Sequence, residues 1–263
     1  MIKTGTAIEP ELWRASESRS RAEGFYPRYA KRFFDCAGAT AGLIALSPVF
    51  LGVSAAVAIA SLASAEPGPV FFSQRRVGKN GQPFSLIKFR TMAPAPDRGE
   101  ASVTVAGDAR VTPLGALLRR WKIDELPQLW NVWKGDISLV GPRPELEGFV
   151  AEYTAEQRRV LRVRPGITDL ASITYRDEAE MLAEHENPQE WYRRMVLPHK
   201  LALNLDYIDS ISFSGDVALI RKTLAAVFFR RGKRTGLAGQ VSCGGPALQN
   251  GEAASGIVSG SAE

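Results

Sequence analysis

The sequence predicts an α+β fold: a small, mostly helical domain with a short β-hairpin, attached to a kinked helix that enters a membrane without crossing it and to amphipathic helices at the membrane surface. Three features predict it: an uncharged apolar run, two strand-like segments around a Gly-rich turn, and helical apolar spacing elsewhere. We divide the chain into a basic interfacial segment (1–32), a re-entrant helical hairpin (33–65), a cytosolic domain (66–235) and a disordered tail (236–263).

Composition narrows the classes of partner and site. The 263 residues include 33 Lys and Arg against 28 Asp and Glu, a formal net charge of +5, which fits an anionic partner such as phosphate, a lipid surface or nucleic acid. Cys36 and Cys243 lie too far apart in sequence to indicate a disulfide framework or a zinc site, and His185 and His199 form no metal-ligand pattern. The sequence contains neither a P-loop nor a dinucleotide-binding fingerprint.

The uncharged run extends from Cys36 to Ala65, about 30 residues, which exceeds the ~20 residues needed to cross a bilayer. Ser47-Pro48 stands near its middle, and proline removes a helical hydrogen bond, so a kink is expected there. Both flanks are basic, which favours the cytoplasmic side for each: Arg28, Lys31 and Arg32 before the run, and Arg75, Arg76 and Lys79 after it. We therefore predict a re-entrant helix bent at Pro48.

Two other interpretations of this run are a straight transmembrane helix and a buried hairpin of a soluble protein. Pro48 and the paired basic flanks disfavour the first, and the Ala- and Gly-rich composition disfavours the second. The long polar segment that precedes the run also argues against a signal peptide. The charged residues Arg32 and Asp35 are expected at the membrane interface.

After the run, the strand-like segments Val70–Arg76 and Phe84–Met92 flank Gly78–Gly81, which has hairpin-turn chemistry. The segment Ala93–Gly107 is expected to be a mobile loop. Helices are predicted over Leu114–Trp121, Pro127–Trp133, Glu145–Val163 and Val217–Arg231. The last of these is basic and amphipathic, so it either lies on an anionic membrane surface or packs on the domain with its basic face in water.

The pair Asp124-Glu125 is the strongest candidate for chemistry. Pro127 is tolerated in a first helical turn, so the two carboxylates are expected at a helix N-terminus, where the backbone favours anions. A carboxylate held there beside cations is expected to have a lowered pKa, to stay ionised and to serve as nucleophile or metal ligand. Ordinary helix capping is the alternative, and this stretch alone favours it.

Cations near Gly and Pro positions strengthen the chemical interpretation. Gly141-Pro142-Arg143-Pro144 is a rigid turn that fixes one guanidinium, and Lys88-Phe89-Arg90 closes a strand with two cations. Phosphoryl transfer requires cations around the phosphoryl oxygens. Any one of these side chains is more simply a solvated surface charge, whereas the set predicts a phosphate site: Lys88, Arg90, Arg119, Arg143 and Arg164.

The chain resembles the monotopic phosphoglycosyl transferases, the bacterial sugar transferases that begin exopolysaccharide, O-antigen and glycoprotein glycan assembly. The resemblance covers about residues 30–230, with its motifs in order. The matching stretches are Lys31-Arg32-Phe33-Phe34-Asp35, Ser47-Pro48, Gln74-Arg75-Arg76-Val77-Gly78, Lys88-Phe89-Arg90-Thr91-Met92, Asp124-Glu125-Leu126-Pro127-Gln128-Leu129 with Asn131-Val132, Gly135-Asp136 through Ser138 to Gly141-Pro142-Arg143-Pro144, Arg164-Pro165-Gly166-Ile167-Thr168, and the region from Asp206-Tyr207 to Asp216.

This resemblance implies a reaction and its participants. Asp124 would attack the β-phosphate of a UDP-sugar, release UMP and carry the phosphosugar covalently until a polyprenyl phosphate, usually undecaprenyl phosphate, accepts it. Mg²⁺ is implied near Asp124, and Glu125 would handle protons or orient the site. Lys88, Arg90, Arg119, Arg143 and Arg164 would contact substrate phosphates. The implied location is the bacterial inner membrane, with the catalytic domain facing the cytoplasm.

One departure from the family pattern concerns specificity: many relatives continue Gly-Trp-Ala-Gln where this chain has Asp169-Leu170-Ala171-Ser172, so no sugar identity is carried over. Two other functions compete. A non-catalytic membrane module would bind anionic lipid or a polysaccharide-assembly partner through its basic face. A nucleic-acid binder would explain neither the apolar run nor Asp124-Glu125, so no nucleic acid is expected. The sequence predicts neither the polymer pathway nor the oligomeric state.

Overall fold

A computed structural model describes residues 24–64, 67–93 and 103–229 of the chain. The predicted disordered tail (236–263), most of the predicted basic entry segment and part of the predicted mobile loop lie outside the described residues.

The described part of the chain is mostly helical, with two small sheets. Strands β1 and β2 pair in antiparallel fashion, and β3 and β4 pair in parallel. The elements, in chain order, are α1 (Lys31–Ala45), α2 (Ser47–Leu62), β1 (Phe71–Val77), β2 (Pro83–Phe89), α3 (Pro113–Arg120), α4 (Gln128–Lys134), β3 (Ser138–Val140), α5 (Glu147–Ala151), β4 (Gly166–Thr168), α6 (Leu170–Thr174), α7 (Glu178–Ala183), α8 (Pro188–Trp191), α9 (Leu197–Ser210) and α10 (Phe213–Phe228).

Helices α1 and α2 form a pair bent by 62° at Leu46. Pro48 has no N–H to donate to the carbonyl of Ile44, and the Ser47 hydroxyl donates to that carbonyl instead, at 2.8 Å. Among the described helices, none alone is long and apolar enough to cross a bilayer, whereas this bent pair together meets those two criteria. The predicted bend at Ser47-Pro48 is confirmed, and the placement of the pair in a membrane stays a prediction.

The predicted hairpin is confirmed to within a few residues. Its register pairs Phe71 with Phe89 and Val77 with Pro83. The turn is a 3₁₀ helix over Lys79–Gly81 in which Asn80 has a φ of 57°. Asparagine is one of the few residues that adopt this left-handed conformation readily.

The helices around the site begin where the sequence predicts. Thr112 caps α3 by accepting the Gly115 N–H at 2.9 Å, and Pro113 occupies the first turn. The prediction of one helix over Glu145–Val163 is wrong, because α5 ends at Ala151 and a separate 3₁₀ helix covers Gln157–Arg162.

A reciprocal capping box separates these two elements. The Gln157 N–H donates to the Thr154 hydroxyl at 3.2 Å, and the Thr154 N–H donates to the Gln157 side chain at 2.9 Å. The predicted helix over Val217–Arg231 is present as α10 and begins earlier, at Phe213.

Helix α1 is tied to the rest of the domain by buried polar contacts. Lys31 pairs with Asp216 at the start of α10, and Asp35 accepts hydrogen bonds from the Ser138 hydroxyl at 2.9 Å and the Leu139 N–H at 3.0 Å. Asp35 is therefore buried in the protein interior. Its expected depth at the membrane interface stays a prediction. These contacts fix α1 against β3, the strand that leads into Arg143.

Three apolar clusters complete the packing. The largest surrounds Phe149, Leu182 and Ile208, beneath α9. A second joins Ala39 of α1 to Val132 of α4. The third joins Val57 of α2 to Phe89 of β2 and Leu118 of α3. The bent helix pair consequently packs directly against the elements on either side of Asp124.

Candidate active site

Asp124 and Glu125 end a short 3₁₀ turn, Ile123–Glu125, and Pro127 stands immediately before α4. Their position just before a helix is thus as predicted. Neither the turn nor α4 has a side-chain cap, so capping does not account for Asp124. Both carboxylates are buried, and Oδ1 of Asp124 has no hydrogen-bond partner among the described residues. A buried carboxylate oxygen left in this state is costly unless a ligand meets it.

Glu125 holds two of the predicted cations. Its Oε1 accepts from Lys88 Nζ at 3.0 Å and from Arg143 Nη2 at 2.7 Å. Lys88 is the next-to-last residue of β2 and Arg143 lies in the loop after β3, so the carboxylate joins two separate elements. The structure thereby brings Lys88 and Arg143 together at the position predicted for a phosphate site.

The pKa values of the two carboxylates shift in opposite directions, and this corrects the prediction of a lowered pKa for both. Burial, with the neighbouring charge of Glu125, raises the pKa of Asp124 against the opposing effect of Lys88. Burial acts in the same direction on Glu125, but Arg143 and Lys88 outweigh it and hold the pKa of Glu125 well below its ordinary value. Glu125 is the firmly ionised member of the pair, which makes it a weak base and a strong anchor.

Arg119 approaches Asp124 from α3. Its Nε donates to the hydroxyl of Thr91 at 2.8 Å, and the Thr91 carbonyl accepts from the Thr112 N–H at 3.0 Å. Thr91 is thus a buried positioning residue for Arg119. The sequence analysis did not predict this role for Thr91, whose only signal in the sequence was its place in the motif Lys88-Phe89-Arg90-Thr91-Met92. Two residues before Asp124, Lys122 has a φ of 57°, an uncommon conformation for a lysine.

The Arg143 turn is fixed by the backbone around β4. The Gly141 N–H donates to the Thr168 carbonyl at 3.0 Å, and the Gly166 N–H donates to the Pro142 carbonyl at 2.9 Å. A Cβ on Gly166 would lie 2.1 Å from the Gly141 nitrogen, so only glycine permits this approach. The stretch Arg164–Thr168 therefore positions the turn that presents Arg143.

Two predicted phosphate ligands make hydrogen bonds within the protein instead of joining Glu125. Arg164 donates from Nε to the Gly135 carbonyl at 2.9 Å and does not line the cavity at Asp124. Arg90 lines the edge of that cavity, but its guanidinium packs against Gly68 and donates to the Ser61 hydroxyl at 2.9 Å. Their positions give no support to direct phosphate contacts by either residue.

A cavity of about 1960 Å³ opens beside the carboxylates, larger than the ~300–1,000 Å³ typical of small-molecule pockets. Six predicted residues line it, with Arg90 at its edge: Lys88, Arg90, Arg119, Asp124, Glu125 and Arg143. The departure at Asp169–Ser172 also reaches it, because Asp169 caps α6 by accepting the Ser172 N–H at 2.5 Å and Ser172 lines the wall. This volume is sufficient for a nucleotide sugar.

The donor set at Asp124 is compatible with one class of metal. Among the described residues, no group of three or more His, Cys, Asp or Glu side chains converges as a preformed metal cage. Mg²⁺ is commonly held by one or two carboxylates together with substrate phosphates. Oδ1 of Asp124 has no hydrogen-bond partner among the described residues, and Asp124 lines the same cavity as three cations that could hold a substrate phosphate: Lys88, Arg119 and Arg143. This arrangement fits that mode of binding.

Comparison with known proteins agrees with this geometry. The sequence profile described as bacterial sugar transferase matches residues 26–230, which include every residue of the site. The chain is similar to the exopolysaccharide production protein ExoY of Rhizobium meliloti, with 34% identity over 218 residues, covering 77% of this chain and 87% of that protein. It is also similar to the uncharacterized sugar transferase EpsL of Bacillus subtilis, with 38% identity over 202 residues, 77% of this chain and 89% of the other.

A third relative has a name that states a reaction. It is the UDP-glucose:undecaprenyl-phosphate glucose-1-phosphate transferase of Caulobacter vibrioides, 33% identical over 214 residues, covering 79% of this chain and 74% of that protein. The family predicted from the motifs is confirmed. Because the family match extends over residues 26–230 and includes the carboxylate pair and the cations around it, this chain belongs to the bacterial sugar transferase family.

Proposed function

We propose that this protein transfers a sugar 1-phosphate from a UDP-sugar to a polyprenyl phosphate, as the initiating step of exopolysaccharide or related glycan assembly. The observation that carries the proposal is Asp124: a buried carboxylate with an unpartnered oxygen, surrounded by Lys88, Arg119 and Arg143 in a cavity large enough for a nucleotide sugar. The relative from Caulobacter vibrioides, whose name gives a UDP-sugar donor and undecaprenyl phosphate acceptor, supports the substrate classes.

The chemistry follows from the nucleophile. A carboxylate oxygen of Asp124 attacks the β-phosphorus of the UDP-sugar, the bond from that phosphorus to the bridging oxygen breaks, and UMP leaves with the electron pair. The product is an acyl phosphate that carries the sugar. An oxygen of the polyprenyl phosphate then attacks the same phosphorus, the acyl phosphate bond breaks, and the Asp124 carboxylate is regenerated.

The neighbouring side chains orient this exchange. Arg143 and Lys88 stabilise charge on the phosphoryl oxygens, and Glu125 holds both cations in register. Because the pKa of Glu125 lies well below its ordinary value, we assign it an orienting role in preference to proton transfer. Mg²⁺, held by Asp124 and the diphosphate, would supply further charge neutralisation there.

We place the bent pair α1 and α2 in one leaflet of the bacterial inner membrane, with the catalytic domain on the cytoplasmic face. Support comes from the apolar exterior of the pair, where Ile44, Leu51 and Ile59 are exposed in the absence of lipid. A water-soluble protein rarely exposes so continuous an apolar surface. In this placement Asp124 lies near headgroup depth, within reach of a lipid phosphate.

The test is UMP release by the purified full-length protein, measured with a panel of UDP-sugars, undecaprenyl phosphate and Mg²⁺. We expect lipid-dependent release with one or a few sugars, reduced roughly 10³-fold or more in Asp124→Asn. The matched control is Asp206→Asn, an exposed aspartate on α9 outside the cavity, which is expected to retain activity.

Release that persists in Asp124→Asn would remove Asp124 as the nucleophile. Absence of release with every sugar, in a preparation shown to be folded, would instead favour the non-catalytic membrane module. Lipid binding that persists in Asp124→Asn would agree with that module.

A further inference from the structure

A second concavity, of about 450 Å³, lies between α2 and α3 and is separate from the charged cavity. Gly52, Val53 and Ala56 form its α2 wall, and Leu117 and Trp121 form part of its α3 wall. Leu117 is 52% exposed and Trp121 is 40% exposed, so the groove is open along one side. All its lining residues are apolar or glycine.

The sequence of α3 produces this surface. Leu114, Leu117, Leu118 and Trp121 recur at helical spacing and lie on one face, towards α2. Arg119 lies on the other side of the same helix, lining the charged cavity. Helix α3 thus lies between an apolar groove and the proposed phosphate site.

The groove ends beside the reacting centre, at two consecutive residues. Ile123 lines the groove, and the next residue, Asp124, lines the charged cavity. Lys122, which lines the charged cavity, precedes both in sequence. A ligand that lay across this corner would meet cations and a nucleophile at one end and only apolar side chains at the other.

We infer that the groove binds the first isoprene units of the polyprenyl phosphate acceptor, with its phosphate directed to Asp124 and Arg119. This inference rests on the proposed function and adds a defined binding site for the acceptor chain. A polyprenyl phosphate has an anionic phosphate at one end and an apolar chain after it. The protein surface has the same order, with the cations of the charged cavity followed by the apolar groove. Acyl chains of bilayer phospholipids are the competing occupant, and the experiment distinguishes the two.

The test fills the groove from α2. A Cβ placed on Gly52 meets no atom within 4 Å, so Gly52→Phe can be accommodated by the fold and projects bulk into free space. Ala55→Phe is the matched control, since it adds bulk at an exposed position of the same helix outside the groove. Both variants are first compared with the wild type by thermal unfolding.

The first readout separates the two steps of the reaction. In Gly52→Phe the KM for undecaprenyl phosphate is expected to rise tenfold or more, because loss of about two buried methylene groups already changes affinity about tenfold. Single-turnover UMP release without acceptor is expected to be unchanged, as is every parameter of Ala55→Phe. An unchanged KM in Gly52→Phe, or an equal rise in Ala55→Phe, would overturn the inference.

The second readout does not depend on turnover. A polyprenyl phosphate with a photoreactive group in its first isoprene units is cross-linked to the full-length protein in phospholipid nanodiscs, and the adducts are mapped by mass spectrometry. We expect adducts on the segments 52–56 and 114–121, prevented by unlabelled undecaprenyl phosphate and by Gly52→Phe. Adducts elsewhere, or equal prevention by added phosphatidylglycerol, would assign the groove to bilayer lipid. Failure of the proposed function would appear separately, as absent UMP release in the wild type.

Discussion

Replacing Glu125 by glutamine tests the central electrostatic arrangement of the site. The change keeps nearly the same shape and removes the negative charge that Lys88 and Arg143 share at 3.0 Å and 2.7 Å. Breaking a buried ion pair by removing one partner costs about 3–5 kcal/mol, mainly because the remaining charge is buried without compensation. We take the lower end, about 3 kcal/mol, because the Lys88 and Arg143 side chains retain 20% and 28% of their exposure.

A loss of this size is expected to lower the Tm by about 6–12 °C in a chain of this length, measured by circular dichroism in detergent. The control is Glu147→Gln, whose partner Arg75 lies at 3.3 Å with both side chains at least half exposed. An exposed pair of this kind contributes less than about 1 kcal/mol, so the control is expected to unfold close to the wild type.

Substrate should partly rescue the variant. With Glu125 neutralised, the diphosphate of a UDP-sugar is expected to replace the negative charge that Lys88 and Arg143 have lost. The increase in Tm on adding UDP-sugar is therefore expected to be larger in Glu125→Gln than in the wild type. Unfolding of Glu125→Gln within a degree or two of Glu147→Gln, or an equal ligand effect in variant and wild type, would refute the reasoning.

Three further predictions concern protonation, backbone strain and the attachment of α1. Because burial and Glu125 raise the pKa of Asp124, the ionised nucleophile is lost as pH falls through that raised value. The rate of single-turnover UMP release should therefore fall on the acid side at a pH above the ordinary aspartate range. A fall at or below that range would contradict this prediction. Lys122→Gly should raise stability by up to about 1 kcal/mol in denaturant unfolding by relieving the left-handed conformation, whereas Lys122→Val should lower it. Asp216→Asn should cost about 3 kcal/mol by leaving Lys31 unpaired, and a double-mutant cycle with Lys31→Met should show strong coupling; additive losses would contradict it.

Local chemistry in the sequence was sufficient for several elements. Pro48 lacks the N–H that helix continuation requires, so the bend between α1 and α2 followed from one residue and its setting. Asn80 and Gly81 adopt left-handed conformations easily, which defined the hairpin turn. The single helix expected over Glu145–Val163 failed because Thr154 and Gln157 form a capping box, a signal that apolar periodicity alone does not register.

The parallel pair of β3 and β4 was not predicted from the sequence. Each strand has three residues, too few for a period to be recognised, and the pairing depends on the backbone approach of Gly141 to Gly166. This long-range contact gives the stretch after Arg164 its structural role. The stretch Arg164–Thr168 was recognised as a motif in the sequence, but its pairing with β3 was visible only in the structure.

The sequence by itself determined the family, the bent apolar segment and the residue types of the predicted phosphate site, because these depend on composition, short motifs and local backbone chemistry. Only the tertiary structure decided which cations meet. It joined Lys88 and Arg143 on Glu125, directed Arg90 towards Ser61 and left Arg164 outside the cavity. It also reversed the expected pKa of Asp124, since burial and the charge of an adjacent carboxylate are properties of packing that neighbouring residues in sequence do not reveal.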